Sequence, residues 1–261
     1  MKQIQYALVT GASSGMGLAF ARQLASQGCA LALVSNREEE LLEAAAGLRE
    51  AYGVAVHARC ADLSLPGAAD EIIRWCDSLA FRPDLLVNNA GIFFMEYLGA
   101  RNLDKARRMI SLHVAAVTDL CILFGARMKE RGRGYILNIS SMTARIPAPG
   151  IAVYSATKAY LKSFGKSLSH ELRPFGVTVT TVCPAAVDTG LYPLGERLRK
   201  RLKRIGLVRS PEWMARRSLR ALMRGRRIFA PGLTNAVVPA LVALLPNRLI
   251  DRLGMKWIYR S

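Results

Sequence analysis

The sequence has few acidic residues, few histidines and no paired cysteines. Its 261 residues carry 37 lysines and arginines against 19 aspartates and glutamates, a net charge of +18. The three histidines lack metal-ligand spacing, and the five cysteines contain no Cys-x-x-Cys pair. These absences speak against a metal site. Because the cysteines stand mostly inside apolar runs, we expect buried free thiols in a reducing compartment.

Long hydrophobic runs, repeats and low-complexity segments are also missing. The longest apolar run near the C-terminus, residues 236–245, contains a proline and is far shorter than the about 20 residues that span a bilayer. The N-terminus passes directly into a strand pattern rather than a signal peptide. We therefore expect a cytoplasmic protein that is either soluble or attached peripherally to a membrane.

The basic charge is concentrated in the C-terminal third. Residues 186–261 hold 17 Lys/Arg and 4 Asp/Glu, a net charge of +13, whereas residues 1–185 hold 20 and 15, a net charge of +5. Such a segment predicts an acidic partner: a phosphate-bearing cofactor or thioester, an anionic membrane, or nucleic acid. We do not expect nucleic acid, because aromatic side chains are not interleaved with the basic run as base stacking requires.

Short apolar runs alternate with longer helical patterns along the chain. Strands are predicted at 6–10, 31–35, 54–61, 84–90, 134–140, 177–183 and 227–230. Helices are predicted at 15–27, 37–51, 66–79, 152–173 and 211–224, and a long helix after the fourth strand ends near residue 131. Continuous apolar strands separated by helices predict an α/β fold, a Rossmann-like doubly wound parallel sheet of about seven strands in a single domain. Ligands then bind beyond the carboxyl ends of the strands.

Polar and glycine-rich stretches follow several of these strands. The turn "TGASSGMG" after the first strand contains Gly11, Gly15 and Gly17; glycines permit a tight turn, and the helix N-terminus that follows can accept a pyrophosphate. Asp62 follows the third strand, and "NNAG" (88–91) follows the fourth. Each has a structural alternative, a plain turn for the glycines and an Asx turn for the asparagines.

A serine, a tyrosine and a lysine form a second cluster. Tyr154 and Lys158 are four residues apart in a predicted helix, and Ser141 ends the apolar run "ILNISS". A nearby cation lowers the pKa of a phenol from about 10 toward working pH, so the pair is suited to acid catalysis. The alternative, taken alone, is a helix surface that happens to carry both residues.

Taken in order, these motifs resemble the short-chain dehydrogenase/reductase family over residues 4–190. The resemblance implies a nicotinamide cofactor and an oxidoreductase in which Tyr154 protonates a substrate carbonyl, Lys158 lowers the tyrosine pKa, and Ser141 donates to the developing alkoxide. The cofactor residues that it implies are Gly11, Ser13, Ser14, Gly15, Met16, Gly17, Asp62, Leu63, Asn89, Ala90, Gly91, Tyr154, Lys158, Pro184, Val187 and Thr189. Ala185 replaces the usual glycine after Pro184 and disfavours a positive φ there.

The end of the second strand predicts which nicotinamide is preferred. A carboxylate at this point binds the ribose 2′-hydroxyl of NAD and repels the 2′-phosphate of NADP. Here Ser35, Asn36 and Arg37 follow one another, and all three can donate hydrogen bonds to a phosphate. We therefore expect NADP(H) to be preferred, with NAD(H) also accepted, because Asn36 stands where the family's NADP version has arginine. The alternative for Arg37 is a surface charge at a helix start.

One candidate catalytic residue departs from the family pattern. The family usually has an asparagine on the long helix after the fourth strand, where it supports a water chain that feeds protons to the lysine. His113 stands there, in "MISLHVAAV". Two interpretations are open. Either His113 keeps the relay and titrates near neutrality, or it is a packed helix histidine and the relay is weakened.

The C-terminal part resembles the branch with hydroxysteroid dehydrogenases and long-chain ketoacyl or ketosphinganine reductases. We divide the chain into a core (1–189), a helical substrate lid (190–226) and a last strand with a helical tail (227–261). The basic lid is either a solvated face or an attractant for anionic lipid or thioester phosphates. The resemblance implies a lipophilic substrate and a homodimer or homotetramer. The competing function is a catalytically weak NADP(H) sensor or membrane-docking protein.

Overall fold

The computed structural model describes residues 4–146, 148–189, 208–246 and 248–251. Its strands are β1 Tyr6–Thr10, β2 Ala30–Ser35, β3 Val56–Cys60, β4 Leu85–Asn88, β5 Gly134–Ile139, β6 Val177–Val182 and β7 Ile228–Phe229. All pair in parallel, in the order β3-β2-β1-β4-β5-β6-β7. The strand order reverses direction between β1 and β4, as in a doubly wound sheet. The predicted fold class is confirmed.

Helices cover both faces of this sheet. They are α1 Gly15–Ala25, α2 Glu38–Tyr52, α3 Ala68–Ser78, α4 Leu103–Ile110, α5 Ala116–Glu130, α6 Ala152–Leu172, α7 Pro211–Met223 and α8 Leu233–Leu244. Ala7 and Val9 of β1 pack in the layer with α1, α2 and α7, whereas Leu8 packs in the layer with α3, α5 and α6. All three are fully buried, which explains why the strands form continuous apolar runs.

A π-helical turn, Ser111–Ala115, joins α4 to α5 without a break. By length and hydropathy the whole segment Ala100–Glu130 could cross a membrane, but half of its most apolar window is buried inside the protein. Leu120, Cys121 and Phe124 of α5 belong to the core that this helix shares with the sheet, α3 and α6. The hydropathy of the segment therefore fits a core helix.

The predicted element boundaries lie within two residues of the observed ones. Residues 190–207, the first part of the expected lid, and residues 252–261 of the tail lie outside the described residues. The rest of the lid region forms α7, and the tail contains β7 and α8. The division into core, lid and tail stays a prediction.

The expectation of buried free thiols is correct for four of the five cysteines. Cys29, Cys76, Cys121 and Cys183 are free and buried, but Cys60 is free and exposed. Cys60 ends β3, which is an edge strand of the sheet. Edge strands have one side without a neighbouring strand, so an apolar sequence run there does not guarantee burial.

Candidate active site

A cleft of about 890 Å³ opens where the strands end. The sequence-predicted residues that line it are Gly11, Ser13, Ser14, Gly15, Met16, Ser35, Asn36, Arg37, Asp62, Leu63, Asn89, Ala90, Gly91, His113, Tyr154, Lys158, Pro184, Val187 and Thr189. Gly17 and Ser141 do not line it, although their neighbours Met16 and Ser140 do. One cavity thus brings together motifs that are widely spaced along the chain.

The glycine turn after β1 is shaped for a dinucleotide. Gly11 and Gly15 have φ angles of +63° and +55°, which glycine adopts without steric strain. A Cβ on Gly17 would lie 2.0 Å from the Gly11 carbonyl oxygen, so this position needs glycine for α1 to approach the turn. Ser14 precedes α1 and makes no side-chain capping bond. The first N–H groups of α1 are therefore left to bind a pyrophosphate, and the turn fits this part of a nicotinamide cofactor.

The two asparagines of the "NNAG" stretch have different roles. The Asn89 amide donates to the carbonyl oxygens of Thr10 at 3.0 Å and Gly11 at 3.1 Å, and its N–H donates to the Thr10 hydroxyl at 3.0 Å. Asn88 points into the core, where its amide donates to Asn138 Oδ1 at 2.9 Å. Asn89 thus fastens the loop after β4 to the glycine turn, whereas Asn88 joins β4 to β5.

The side chains at the end of β2 are bonded to one another. The Ser35 hydroxyl donates to Ser13 Oγ at 3.0 Å and accepts from the Arg37 N–H at 3.2 Å. The Arg37 guanidinium donates to the two carboxylate oxygens of Glu40, at 3.1 and 3.3 Å. Glu40 also lines the cleft, and no sequence motif points to it.

Asp62 is held at the end of β3 by its own loop and by α4. The Ser64 N–H and hydroxyl donate to Asp62 Oδ1 at 2.9 and 2.6 Å, and the Arg108 guanidinium donates to Oδ2 at 2.7 Å. Burial alone would raise the pKa of Asp62, but the Ser64 hydrogen bonds and the Arg108 charge together lower it. Arg108 lines the cleft as well, so this ion pair lies at the cleft, and the family resemblance implies that Asp62 and Leu63 contact the adenine of the cofactor there.

Tyr154 and Lys158 face the cleft from one side of α6. The Lys158 ammonium nitrogen lies 5.6 Å from the centre of the Tyr154 ring, and the tyrosine is 3% exposed. Ser141 caps the short 3-10 turn Met142–Arg145, where its Oγ accepts from the Thr143 N–H at 3.1 Å. Because the serine oxygen acts as an acceptor there, its hydroxyl proton remains available to a ligand.

Lys158 is buried and anchored to the end of β5. Its ammonium donates to the Ile139 carbonyl oxygen at 3.0 Å, and its own carbonyl accepts from the Ser140 hydroxyl at 2.6 Å. Desolvation lowers the pKa of Lys158 from 10.5 to about 8. At neutral pH the ammonium is therefore still mostly charged, although it is held in an environment that disfavours the charge.

The sequence matches the short chain dehydrogenase family over residues 5–195. The chain belongs to the short-chain dehydrogenase family. Among the described residues, no group of three or more His, Cys, Asp or Glu side chains could hold a metal ion.

Two relatives and a solved structure resemble it along most of its length. The mouse very-long-chain 3-oxoacyl-CoA reductase is 34% identical over 191 residues, 72% of this chain and 61% of that protein. The human inactive hydroxysteroid dehydrogenase-like protein 1 is 33% identical over 190 residues, 72% of this chain and 57% of that protein. This chain thus spans about three fifths of these relatives. A short-chain dehydrogenase from Sphingobium yanoikuyae, solved in complex with NADPH, is 29% identical with a TM-score of 0.75, covering 93% of this chain and 97% of that one.

His113 departs from the short-chain dehydrogenase pattern, and its contacts fix its protonation. Its Nε2 accepts from the Ile92 N–H at 3.0 Å, and Nδ1 lies 3.0 Å from the Thr157 hydroxyl. Because Nε2 is an acceptor, the ring proton belongs on Nδ1 and is donated to Thr157. Burial, with a smaller contribution from the charge of Lys158, lowers the pKa of His113 well below its usual 6.5. The near-neutral titration considered from the sequence is therefore not what this environment favours.

Sequence reasoning missed several residues that line the cleft. They are Val34, Glu40, Ala61, Ile92, Phe93, Arg108, Leu112, Ile139, Ser140 and Ala185. Phe93 packs edge-on against Tyr154, with ring centroids 4.9 Å apart. Most of the others stand within two residues of a predicted site position, so proximity to a motif would have found them. Arg108 and Glu40 lie on helices and had no such signal. Ala185 has a negative φ, so replacing the family glycine introduces no strain.

Proposed function

We propose that this protein is an NADP(H)-preferring oxidoreductase that interconverts a ketone and a secondary alcohol. The observation that carries the proposal is a buried Tyr154 beside the Lys158 ammonium, in the same cleft as a glycine turn that fits a pyrophosphate. Perturbed titratable groups in a cleft are typical of catalytic sites.

The protein's own residues supply the proton chemistry of this reaction. The nicotinamide, when bound, would supply or accept the hydride. Tyr154 gives its phenolic proton to the carbonyl oxygen during reduction and takes it back during alcohol oxidation. The Lys158 charge stabilises the phenolate that remains. Ser141 donates its free hydroxyl proton to the oxygen on which negative charge develops.

His113 acts in this proposal as a positioning residue rather than a titrating one. It ties the loop after β4, through Ile92, to Thr157 on α6. Thr157 in turn donates to the Tyr154 carbonyl oxygen at 2.8 Å. The histidine therefore holds the cofactor loop and the Tyr154 turn at a fixed separation.

The preference for NADP(H) rests on the end of β2. No acidic residue directly follows this strand, and Ser35, Asn36 and Arg37 all line the cleft. A solved relative carries NADPH. NAD(H) remains a second cofactor in this proposal, because the Arg37 side chain is already paired with Glu40.

A lipophilic substrate is the class that we propose. The aromatic ring of Phe93 against Tyr154 gives the reacting end an apolar wall. A second cavity of about 680 Å³ runs along α6 and the turn after Ser141, lined largely by apolar side chains that include Ile146, Ala156 and Ala159. A mouse relative bears the name of a very-long-chain 3-oxoacyl-CoA reductase. We therefore rank long-chain 3-ketoacyl thioesters first, followed by ketosphinganine-like lipids and ketosteroids.

The test is cofactor oxidation by the purified protein. NADPH and NADH are each supplied with this substrate panel, and turnover is compared between wild type, Tyr154→Phe and Tyr160→Phe. Tyr160 lies on the same helix but is partly exposed and bonded to Thr118, so it is the matched control. We expect Tyr154→Phe to lose turnover while it still binds NADPH, and Tyr160→Phe to keep both. A wild type that binds NADPH but converts no substrate would instead favour the sensor.

We further propose a homodimer or homotetramer formed through α5 and α6. Ile122 on α5 is 57% exposed, and Tyr160 on α6 stacks on Phe164 at the surface. Exposed apolar side chains on adjacent helices are typical of interfaces. Analytical ultracentrifugation of wild type and Ile122→Glu tests this: we expect the variant to be smaller, and a wild-type monomer would refute it.

The basic surface of α7 supports peripheral attachment of a cytoplasmic protein to anionic membranes. The exposed arginines of α7 and its flanks are Arg209, Arg216, Arg217, Arg220, Arg224 and Arg226, and Trp213 lies between two of them, Arg209 and Arg217. Such a surface is attracted to acidic lipid headgroups. Sedimentation with phosphatidylcholine vesicles, with and without phosphatidylserine, tests this. Neutralising Arg216, Arg217 and Arg220 to glutamine should abolish binding to the acidic vesicles; unchanged binding would refute the assignment.

A further inference from the structure

Two of the three residues expected to bind a 2′-phosphate, Ser35 and Arg37, are already bonded to groups of the protein. The Ser35 hydroxyl proton is donated to Ser13, and the Arg37 N–H is donated to Ser35. The Arg37 guanidinium is bonded to the Glu40 carboxylate through both of its oxygens. Both of these guanidinium bonds come from Nη1 of Arg37, so a phosphate that binds this nitrogen competes with Glu40 for it.

Glu40 is placed so that it competes with such a phosphate. It lines the cleft together with Arg37, whereas Glu38 and Glu39 of the same turn do not. Its carboxylate carries the same charge sign as a phosphate and uses the same guanidinium. A ribose that has only a hydroxyl at this position neither needs Arg37 nor suffers repulsion from Glu40.

We propose that Glu40 is a specificity-determining residue that weakens the preference of this protein for NADP(H) over NAD(H). The inference rests on the proposed function, because it concerns the same cofactor cleft. The Glu40 carboxylate is bonded to Nη1 of Arg37, and it competes for that nitrogen with the 2′-phosphate. Removing its charge should therefore strengthen binding of the phosphorylated cofactor and leave the other unchanged.

The size of the effect follows from the exposure of the pair. Arg37 and Glu40 side chains are 62% and 49% exposed, and an exposed ion pair contributes about 0.2 to 1 kcal/mol. Release of Arg37 from this pair alone strengthens phosphate binding by up to about fivefold. Loss of the repulsion between Glu40 and a phosphate adds to this. We expect the ratio of the two affinities to rise by about three- to tenfold in Glu40→Gln.

The test is equilibrium binding, without substrate, at low ionic strength where surface charges are least screened. Dissociation constants for NADP⁺ and NAD⁺, and for the fragments 2′,5′-ADP and 5′-AMP, are measured by calorimetry for wild type, Glu40→Gln and Glu39→Gln. Glu39→Gln removes the same charge from the same helical turn and is the control. The expected result is tighter binding of NADP⁺ and 2′,5′-ADP in Glu40→Gln alone, with NAD⁺ and 5′-AMP unchanged.

Four outcomes would overturn the inference, the last of them together with the proposed function. An equal change for both cofactors would mean that Glu40 acts on the cleft as a whole. Weaker NADP⁺ binding in Glu40→Gln would mean that Glu40 positions Arg37 for the phosphate instead of competing with it. If wild type binds both cofactors and the ratio does not move, this inference fails alone. If wild type binds neither cofactor nor fragment, the proposed function fails with it.

Discussion

The buried ammonium of Lys158 should make the stability of the protein depend on pH. Replacing Lys158 with a neutral side chain should remove this dependence. The pKa of Lys158 is lowered by burial from 10.5 to about 8. Between these two values the unfolded chain binds more protons at this lysine than the folded protein does. Lys158 therefore lowers the free energy of unfolding less and less as the pH rises. Below pH 8 both states carry the proton, and the full penalty of a buried charge is present.

The magnitude follows from the same two values. At pH 7 the lysine lowers the free energy of unfolding by about 3 kcal/mol, and at pH 9 by about 2 kcal/mol. The difference between wild type and Lys158→Met should therefore shift in favour of wild type by about 1 kcal/mol from pH 7 to pH 9. Comparing the two proteins at each pH cancels most of the titration of other groups. The hydrogen bond to Ile139 is missing from the variant at every pH, so its loss offsets the difference at each pH and does not itself produce the shift between pH 7 and pH 9.

Urea unfolding of the apoprotein at pH 7, 8 and 9, followed by circular dichroism, measures this shift. Lys166→Met is the control, since Lys166 is exposed on the same helix. We expect a pH-dependent difference for Lys158→Met and a pH-independent one for Lys166→Met. A difference between wild type and Lys158→Met that stays constant from pH 7 to 9 would refute the reasoning, because the lysine would then titrate alike in both states.

Three further predictions follow from the site. Gly17→Ala should lose NADPH binding and at least about 1 to 3 kcal/mol of stability in thermal unfolding, since its Cβ would lie 2.0 Å from a backbone oxygen; Gly47→Ala, with no atom within 4 Å, should lose neither. Ser141→Ala should lower kcat about 100- to 1000-fold while calorimetry finds unchanged NADPH binding; an unchanged kcat would remove Ser141 from the mechanism. His113→Asn should leave the pH–rate profile between pH 6 and 8 unchanged, because burial keeps the pKa of His113 well below this range; a lost inflection would restore the titrating relay.

The fold was predictable because its strands are simple to recognise. Leu8, Leu33 and Leu86 are fully buried, and strands covered on both faces contain little but apolar residues. The carboxyl ends of such strands share one edge, so the sequence alone predicts Asp62 and Asn89 in the same cleft. Element ends were less certain because the last residue of a strand depends on pairing with its neighbours. At Cys60, on the edge strand β3, the same dependence made burial unpredictable.

The environment of His113 was not predictable, and the reason is local geometry. Sequence periodicity assumes 3.6 residues per turn, whereas His113 lies in a π-helical turn, which changes the direction of the side chains within it. In this turn the imidazole reaches both Ile92 and Thr157. The two contacts decide the tautomer and, with burial, the direction of the pKa shift. Spacing alone left a titrating relay and a packed histidine as equal alternatives.

The pairs Arg37–Glu40 and Asp62–Arg108 show a second reason why the sequence motifs did not predict the whole site. A motif names the residue that faces the cofactor, but the free energy of binding also depends on what that residue contacts before the cofactor arrives. Arg37 qualifies as a phosphate donor by its type and place, yet its guanidinium is bonded to Glu40. Asp62 qualifies as an adenine contact, yet one of its oxygens is bonded to Arg108. Both partners come from helices on which no motif lies, so the sequence motifs did not reveal the competition between protein and ligand that we propose for cofactor selectivity.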